Sequence, residues 1–458
     1  MNSVVANSRF KQLVVQIHSS LWFVPALVIL GMVLLALGLV ELDRQFHHVL
    51  LERWPRLFAT EAEGARSMLS AIAGSMATIA GVAFSITMVA LALASNQYTS
   101  RVLRNFMRDR ANQLVLGIFI GVHLYCLFVL RAMGEQENAF VPATAVLGAL
   151  VLAVLASAAF IYFVHHISST IQADDLAEAI THETLRVIDD MFPDEVRHDP
   201  DIAAPALLDT ATWHPVPAQR FGYVQTVDET RLVAFAREHD VVVRMACKPG
   251  DFVGTGEPIV WLAAGQAPGE DMVDTLNGAY GIGAFRTIDQ DPAFGIRQLV
   301  DISLKALSPA INDTTTAVTC LAHIGVIVES GVRRHMAARH HYDGETLRVL
   351  SASLDGADLV GLAFRQITEN AEGNTEVLLR ILGAIGKVGK ACMTAPVRDA
   401  LQEQVNVVGE IAMRTAKSQA AAAQVEAGLQ AARTLIASGA ARAADTMHLH
   451  ALRPRASQ

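Results

Sequence analysis

The stretch MLSAIAGSMATIAGVAFSITMVALALA, Met68 to Ala94, contains no charged residue. A helix needs about 20 consecutive apolar residues to cross a hydrocarbon core roughly 30 Å thick, so this one is long enough. Outward from it, three more segments qualify. Leu21 to Val40 is also uncharged, Leu114 to Leu130 is near the short limit, and Val141 to Phe163 is the fourth. Trp22 and Trp54 fall at a span end and in the first loop, where amphipathic indoles anchor a helix at the interface. The first apolar run is too long for a signal-peptide core. It leads into Glu41, Leu42 and Asp43 rather than a small-residue cleavage site, so it reads as a retained span.

The bulk numbers agree with a divided chain. Of 458 residues, 52% are hydrophobic and only 18% charged, against about a quarter charged in soluble domains. Residues 1–164 hold 11 Lys+Arg and 8 Asp+Glu, a balance of +3, and the rest carries −12, which gives the net −9. An acidic second half argues against a nucleic-acid partner, which would need a basic face. Cys126, Cys247, Cys320 and Cys392 are far apart and without metal-ligand spacing, so neither a disulfide framework nor a zinc site is expected. No cofactor is implied. Free thiols suit a domain in a reducing cytoplasm.

Loop charges set the orientation. The loop from Asn96 to Gln113 contains Arg101, Arg104, Arg108 and Arg110, whereas the third loop offers Arg131 beside Glu135 and Glu137. Arginine-dense loops stay on the cytoplasmic side, and four spans then put both termini there. The first loop mixes Arg44, Arg53, Arg56 and Arg66 with acids and decides nothing.

Within the second span, Ser67, Ser70, Gly74, Thr78, Gly81 and Ser85 recur at steps of three and four, one helical stripe. Ala73, Ala77, Gly81 and Ser85 form a neighbouring small-residue row. Two readings fit: a close helix–helix contact in lipid, or a polar lining for an aqueous path in a homo-oligomer. His123 is the one titratable group well inside a span. It is either a functional group or a neutral imidazole bonded to a neighbouring helix. His165 and His166 mark the end of the fourth span.

After the spans, Ile167, Ile171, Leu176, Ile180, Leu185 and Ile188 predict a helical stalk over 165–192. Residues 193–219, rich in Pro and Asp, read as a linker, and 220–442 as a cytoplasmic α+β domain. Phe221–Val227 and Val241–Ala246 read as strands around a helix, Glu229–Glu238. KPGDFVGTGEPIVWL, Lys248–Leu262, has glycine turns between strand-like residues. Its rhythm is similar to a small biotinyl- or lipoyl-carrier barrel, but without the lysine such carriers modify. Helices are expected at Ala357–Glu369, Thr375–Val388 and Ala395–Ala441, and a disordered tail over 443–458.

The densest polar segment runs from Gly278 to Ala317. Gly278, Gly281 and Gly283 match no nucleotide loop. Arg297, Asp301 and Lys305 are spaced for an ion-pair ladder on one helix face. Asn312 and Asp313 sit where the next helix, Thr314 to Val332, needs a cap. Alternatively that N-terminus forms an anion or ligand site with Arg286, near Asp289 and Asp291. No hydrolase elbow, HExxH, paired catalytic carboxylates or Walker motif is present, and an enzyme built on Arg286, Asp291 and Asn312 lacks a nucleophile–base pair.

Two stretches, AFSITMVALALASNQYTSRVLRNFMRDRANQLVLGIF (Ala83–Phe119) and RT…QDPAFGIRQLVDISLKALSPAIND (Arg286–Asp313), resemble the bacterial predicted-membrane-protein family called domain of unknown function 2254. The second motif usually ends Asn-Asp-Pro in that family, and Thr314 stands at the proline position here. The resemblance implies a multi-pass protein of the bacterial inner membrane and no reaction. Together the residues predict a four-span membrane domain followed by a soluble α+β domain with a barrel-like part. The expectation is a homo-oligomeric, channel-like or transport-related assembly in the lipid bilayer. The alternative is a non-conducting sensor or scaffold whose soluble domain binds a protein or small ligand.

Overall fold

A computed structural model of the chain describes residues 22–53, 62–97, 109–133, 140–170, 172–192, 212–334, 340–344, 346–352, 354–392 and 394–451. Arg101, Arg104, Arg108 and most of the expected linker lie outside these residues. The chain divides into two compact units, Met1–Gln172 and Ala173–Gln458.

The first unit contains α1 (Phe23–Arg53), α2 (Ala62–Gln97), α3 (Arg110–Ala132) and α4 (Ala143–Thr170). Helix α3 is central, packing on the other three with Phe119, Val122, Tyr125 and Val129 buried. Glycine permits the closest approach: a Cβ on Gly117 would stand 2.9 Å from Pro25 Cα of α1. Outward, the bundle shows Leu27 and Leu34 on α1, Val89 on α2, and Val154 and Ile161 on α4. Large apolar side chains on the outside of a satisfied helical backbone suit solvation by lipid.

The second unit starts with α5 (Ala173–Met191). Two sheets with two short helices follow: β1 (Trp213–Pro217), β2 (Gly222–Val227), α6 (Glu229–Glu238), β3 (Val242–Met245), β4 (Phe252–Val253), β5 (Pro258–Ala263), α7 (Glu270–Asn277) and β6 (Tyr280–Gly283). Next come α8 (Pro292–Ala306), α9 (Thr314–Val332), β7 (His340–Asp343), β8 (Thr346–Leu350) and helices α10 (Gly356–Asn370), α11 (Thr375–Ala391), α12 (Ala395–Thr415) and α13 (Gln419–Ala451). The larger sheet has the order β1-β5-β3-β8-β7, and the smaller β4-β2-β6. Only the β3–β8 pairing is parallel among the described strands. The two sheets enclose one core that includes Val224, Val243, Ile259, Leu262 and Tyr280. Tyr280 ties them together by donating its hydroxyl to the Ile259 carbonyl at 3.2 Å. The strands expected to close one barrel therefore form two hydrogen-bonded sheets.

Five helices among the described residues are long and apolar enough to cross a membrane: α1 to α4, and α9. Helix α9 packs on α5, α8 and α11, with Cys320, Leu321, Ile324 and Val328 buried.

Four boundaries differ from the sequence expectations. The stalk over 165–192 is two helices, because α4 ends at Thr170 and α5 starts at Ala173. Asp174 and Asp175 suit a fresh N-terminus. Nor is α5 a free rod, since Ala177, Ile180, Thr184 and Ile188 are buried against α8 and α9. The linker's last residues form β1, an edge strand, the place in a sheet where Pro215 and Pro217 are tolerated. The long helix from Ala395 breaks into α12 and α13: Ala416 is extended, and the Ser418 hydroxyl accepts from the Ala421 amide at 3.1 Å, starting a new helix. Finally, α13 continues to Ala451, into the expected tail.

Candidate functional site

The α2 stripe comes first. Its buried face is made by Ala65, Leu69, Ile72, Ala73, Met76, Ala80 and Ala83. Ser67, Ser70, Gly74, Thr78, Gly81 and Ser85 lie on the opposite side, and all six are exposed. Nothing stands within 4 Å of a Cβ built on Gly74 or Gly81. Within the described residues the stripe therefore packs against nothing, unlike the glycines of α3. The Thr78 hydroxyl donates to the Gly74 carbonyl at 3.0 Å, so this polar group is already bonded within its own helix.

His123 faces the other side of α2. Its Nδ1 lies 2.9 Å from the Ala73 carbonyl oxygen. A carbonyl only accepts, so Nδ1 carries the proton. The imidazole ties α3 to α2, and of the two readings of His123 the interhelical bond is the one this geometry describes.

Two polar anchors of this unit had no role in the sequence expectations. Asp43 of α1 is buried and accepts from the backbone amides of Thr144 and Ala145 at 3.0 and 3.1 Å, capping the start of α4. Asp109 caps α3 by accepting from the Ala111 amide at 3.0 Å, and its other oxygen lies 2.5 Å from His166 Nε2. His166 thus joins the end of α4 to the start of α3. The available signal was an acid placed just past an apolar run, a position that suits a cap for a neighbouring helix.

In the second unit Arg286 and Asp291 form a fork: the Arg286 Nε donates to one carboxylate oxygen and Nη2 donates to the other at 3.1 Å. Asp291 also caps α8 by accepting from the Phe294 amide at 3.2 Å, while the guanidinium covers the Phe294 ring. Gly250 sits against the pair with φ +94°, and a Cβ there would overlap the Asp291 carboxylate. Burial pushes the Asp291 carboxyl above its ordinary range, although Arg286 works against that rise. Asp289 is exposed beside them.

The rest of the motif is structural too. Arg297 Nε meets Asp301 at 2.8 Å, and its Nη1 donates to Gln366 Oε1 of α10 at 2.7 Å. Asn312 takes the left-handed conformation, φ +50°, a shape Asn adopts more readily than most residues. Asp313 caps α9 through the Thr316 amide at 3.0 Å and the Thr316 hydroxyl at 2.6 Å, bonds that hold its carboxyl below the usual range. The anion site expected from Arg286 and the α9 N-terminus finds each half already partnered: Arg286 by Asp291, and the helix end by Asp313.

Among the described residues no group of three or more His, Cys, Asp or Glu is placed to hold a metal ion. Burial raises the Cys247 and Cys320 thiols to about 12, which leaves almost no thiolate at neutral pH.

A bundle of apolar helices with lipid-facing side chains, joined to a sheet-containing soluble region, defines a membrane protein. Residues 18–387 match the family described as "Predicted membrane protein (DUF2254)", and the chain belongs to it. It is 34% identical over 359 residues to the uncharacterised protein MT1328 of Mycobacterium tuberculosis (strain CDC 1551 / Oshkosh), covering 76% of this chain and 68% of that one. The uncharacterised protein Mb1321c of Mycobacterium bovis (strain ATCC BAA-935 / AF2122/97) matches with the same identity and coverage. No solved structure matches the chain.

Proposed function

We propose that the chain is a homo-oligomeric inner-membrane protein, channel-like or transport-related, whose subunits meet along the α2 stripe. Helices α1 to α4 cross the bilayer, and α9 stays in the core of the second unit, as its packing against α5, α8 and α11 suggests. The Arg101–Arg110 cluster favours a cytoplasmic position for its loop and for both termini.

One observation supports the reading. The stripe is turned away from its own bundle, in which α1 and α4 also present large apolar side chains, Leu34, Val154 and Ile161, outward. Small residues let two helices approach closely in lipid, where dispersion and weak hydrogen bonds replace the hydrophobic effect. A second copy of α2 fits that face, and several copies about an axis would surround it with hydroxyls.

The test is cysteine crosslinking in native membranes. S70C, T78C and S85C should each give crosslinked subunits, while V154C, on the lipid-facing side of α4, should not. Equal yields at all four positions would remove the proposed interface. Flux assays in reconstituted vesicles then decide conduction: bulky substitutions at Thr78 and Gly81 should change it. Crosslinking at the stripe without flux above empty vesicles would leave the scaffold reading, favoured by the Thr78 hydroxyl being bonded within its own helix.

A further inference from the structure

On the second unit, the β3 side chain of Arg244 projects between two indole rings. Its guanidinium carbon lies 4.4 Å from the Trp213 ring centre and 5.8 Å from that of Trp261. The register places these partners: Arg244 is opposite Trp261 on β5, and β1 pairs antiparallel with the other edge of β5, where Trp213 faces Ala263. Other arginines in this unit, among them Arg237, Arg286, Arg297, Arg333, Arg334, Arg348 and Arg414, are in ion pairs. Among the described residues the Arg244 side chain makes no hydrogen bond or ion pair, only the two ring contacts.

Arg244 and Trp261 line a cleft of about 690 Å³, together with Cys247, Asp251, Phe252 and Glu257. That volume is in the usual range for small-molecule sites. Phe252 stands at the rim, 60% exposed, and is held edge-on by Tyr223 with ring centres 5.1 Å apart. The two carboxylates are partly committed. Asp251 accepts from the Lys248 amide at 2.8 Å and Glu257 from the Gly254 amide at 2.7 Å.

We propose that this cleft binds a small organic carboxylate with a flat or apolar body. An indole-stacked guanidinium is weakly hydrated and held in place, so its fork of N–H donors matches a carboxylate at low ordering cost. Trp261 and Phe252 offer apolar faces to the body of such a ligand. Asp251 and Glu257 repel every negative charge on a ligand, so a single carboxylate seated on the Arg244 fork is opposed less than a phosphate-rich group. Cys247 is present only as wall, since its thiol is protonated at neutral pH. The inference is independent of how the α2 stripe is used.

Two kinds of molecule share this chemistry, an arene carboxylate and a fatty-acid carboxylate, and the experiment separates them. The four tryptophans are Trp22, Trp54, Trp213 and Trp261, so the full-length W22F/W54F protein in detergent reports on the cleft alone. It is titrated with phenylacetate, octanoate, phenylacetamide and acetate. Saturable fluorescence change is expected with phenylacetate, and octanoate should compete with it if acyl carboxylates are accepted. Phenylacetamide lacks the charge and acetate the body, so each should bind at least tenfold more weakly. R244Q should weaken phenylacetate at least tenfold. R244K, which keeps the charge without the fork, should fall between and covers the case in which R244Q does not fold. No saturable response to either carboxylate, or equal binding by the parent and R244K together with R244Q, overturns the proposal.

Discussion

Asp43 and Thr144 stand 101 positions apart, yet the carboxylate of the first accepts the backbone amide of the second at 3.0 Å. A helix leaves its first amides without internal acceptors, and at the start of α4 a side chain from α1 supplies one. The bond fixes the pairing of the first and last helices of the bundle. D43A removes a buried acceptor and leaves the amides of Thr144 and Ala145 short of a partner, a loss of about 1–3 kcal/mol. Thermal unfolding in detergent should show it, and D43N should recover part of the loss. An unchanged midpoint for D43A would mean that the cap is dispensable.

The Arg286–Asp291 fork gives a second test. Asp291 is only 3% exposed as a side chain, so removing its cation strands a buried carboxyl. R286A should cost about 3–5 kcal/mol, the usual penalty for breaking one side of a buried pair. The double variant R286A/D291N should be less damaged than R286A, because no unpaired charge is left inside. Additive losses in that cycle, measured by urea unfolding, would show that the two side chains act separately.

This pair also marks where sequence reading stopped. Apolar run lengths located the four helices described in the first unit, since a charge-free stretch such as Met68–Ala94 has few other uses. The cap at Asp313 was legible, because a cap is a local event, whereas Asp291 was read only as a candidate ligand group. What was not legible depends on distant partners. Nothing near Pro215 and Pro217 announces an edge strand, since its mate, β5, lies far along the chain. Strands β7 and β8 were missed for the same reason, as β8 is fixed by parallel pairing with β3. Nor did Arg244 stand out, for its two tryptophans come together only when the sheet forms.

Asp313 has a pH signature. Its bonds to Thr316 lower its folded pKa, so its contribution is present above the unfolded value near 4. It is lost as pH falls through the folded value. D313A should therefore destabilise by about 0.5–2 kcal/mol at neutral pH, the worth of an N-cap, with a smaller gap at pH 3. Asp291 has the opposite sign: burial raises its carboxyl, so its linkage term is present in acid and is lost as pH rises through the folded pKa. Urea unfolding of D313A and parent at the two pH values checks the first claim. A gap that widens in acid contradicts it.

Gly295, inside the second family motif, tests the docking of α5. A Cβ there would overlap the Thr184 side chain, which is β-branched, buried, and bonded through its hydroxyl to the Ile180 carbonyl at 2.7 Å. The neighbour has little freedom to move. G295A should cost about 1–3 kcal/mol by overpacking, and T184A should relieve it when combined. A neutral G295A, read by urea unfolding, would mean that α5 shifts without penalty.

Gly81 and Gly117 separate packing within a subunit from packing between subunits. Gly117 faces backbone, with Pro25 Cα 2.9 Å from an added Cβ, whereas nothing lies within 4 Å of one on Gly81. G117L should damage the bundle itself, lowering thermal stability and yield, because backbone cannot step aside as a flexible side chain can. G81L should leave the isolated subunit's stability within about 0.5 kcal/mol, the range for substitutions outside packed features. If subunits meet on the α2 stripe, the same variant should reduce the assembly measured by light scattering in detergent. The two readouts diverge only when the glycine is a contact between copies. G81L that keeps the parent's size would remove the reason for placing subunits there, and G81L that unfolds like G117L would mean the stripe packs inside its own bundle after all.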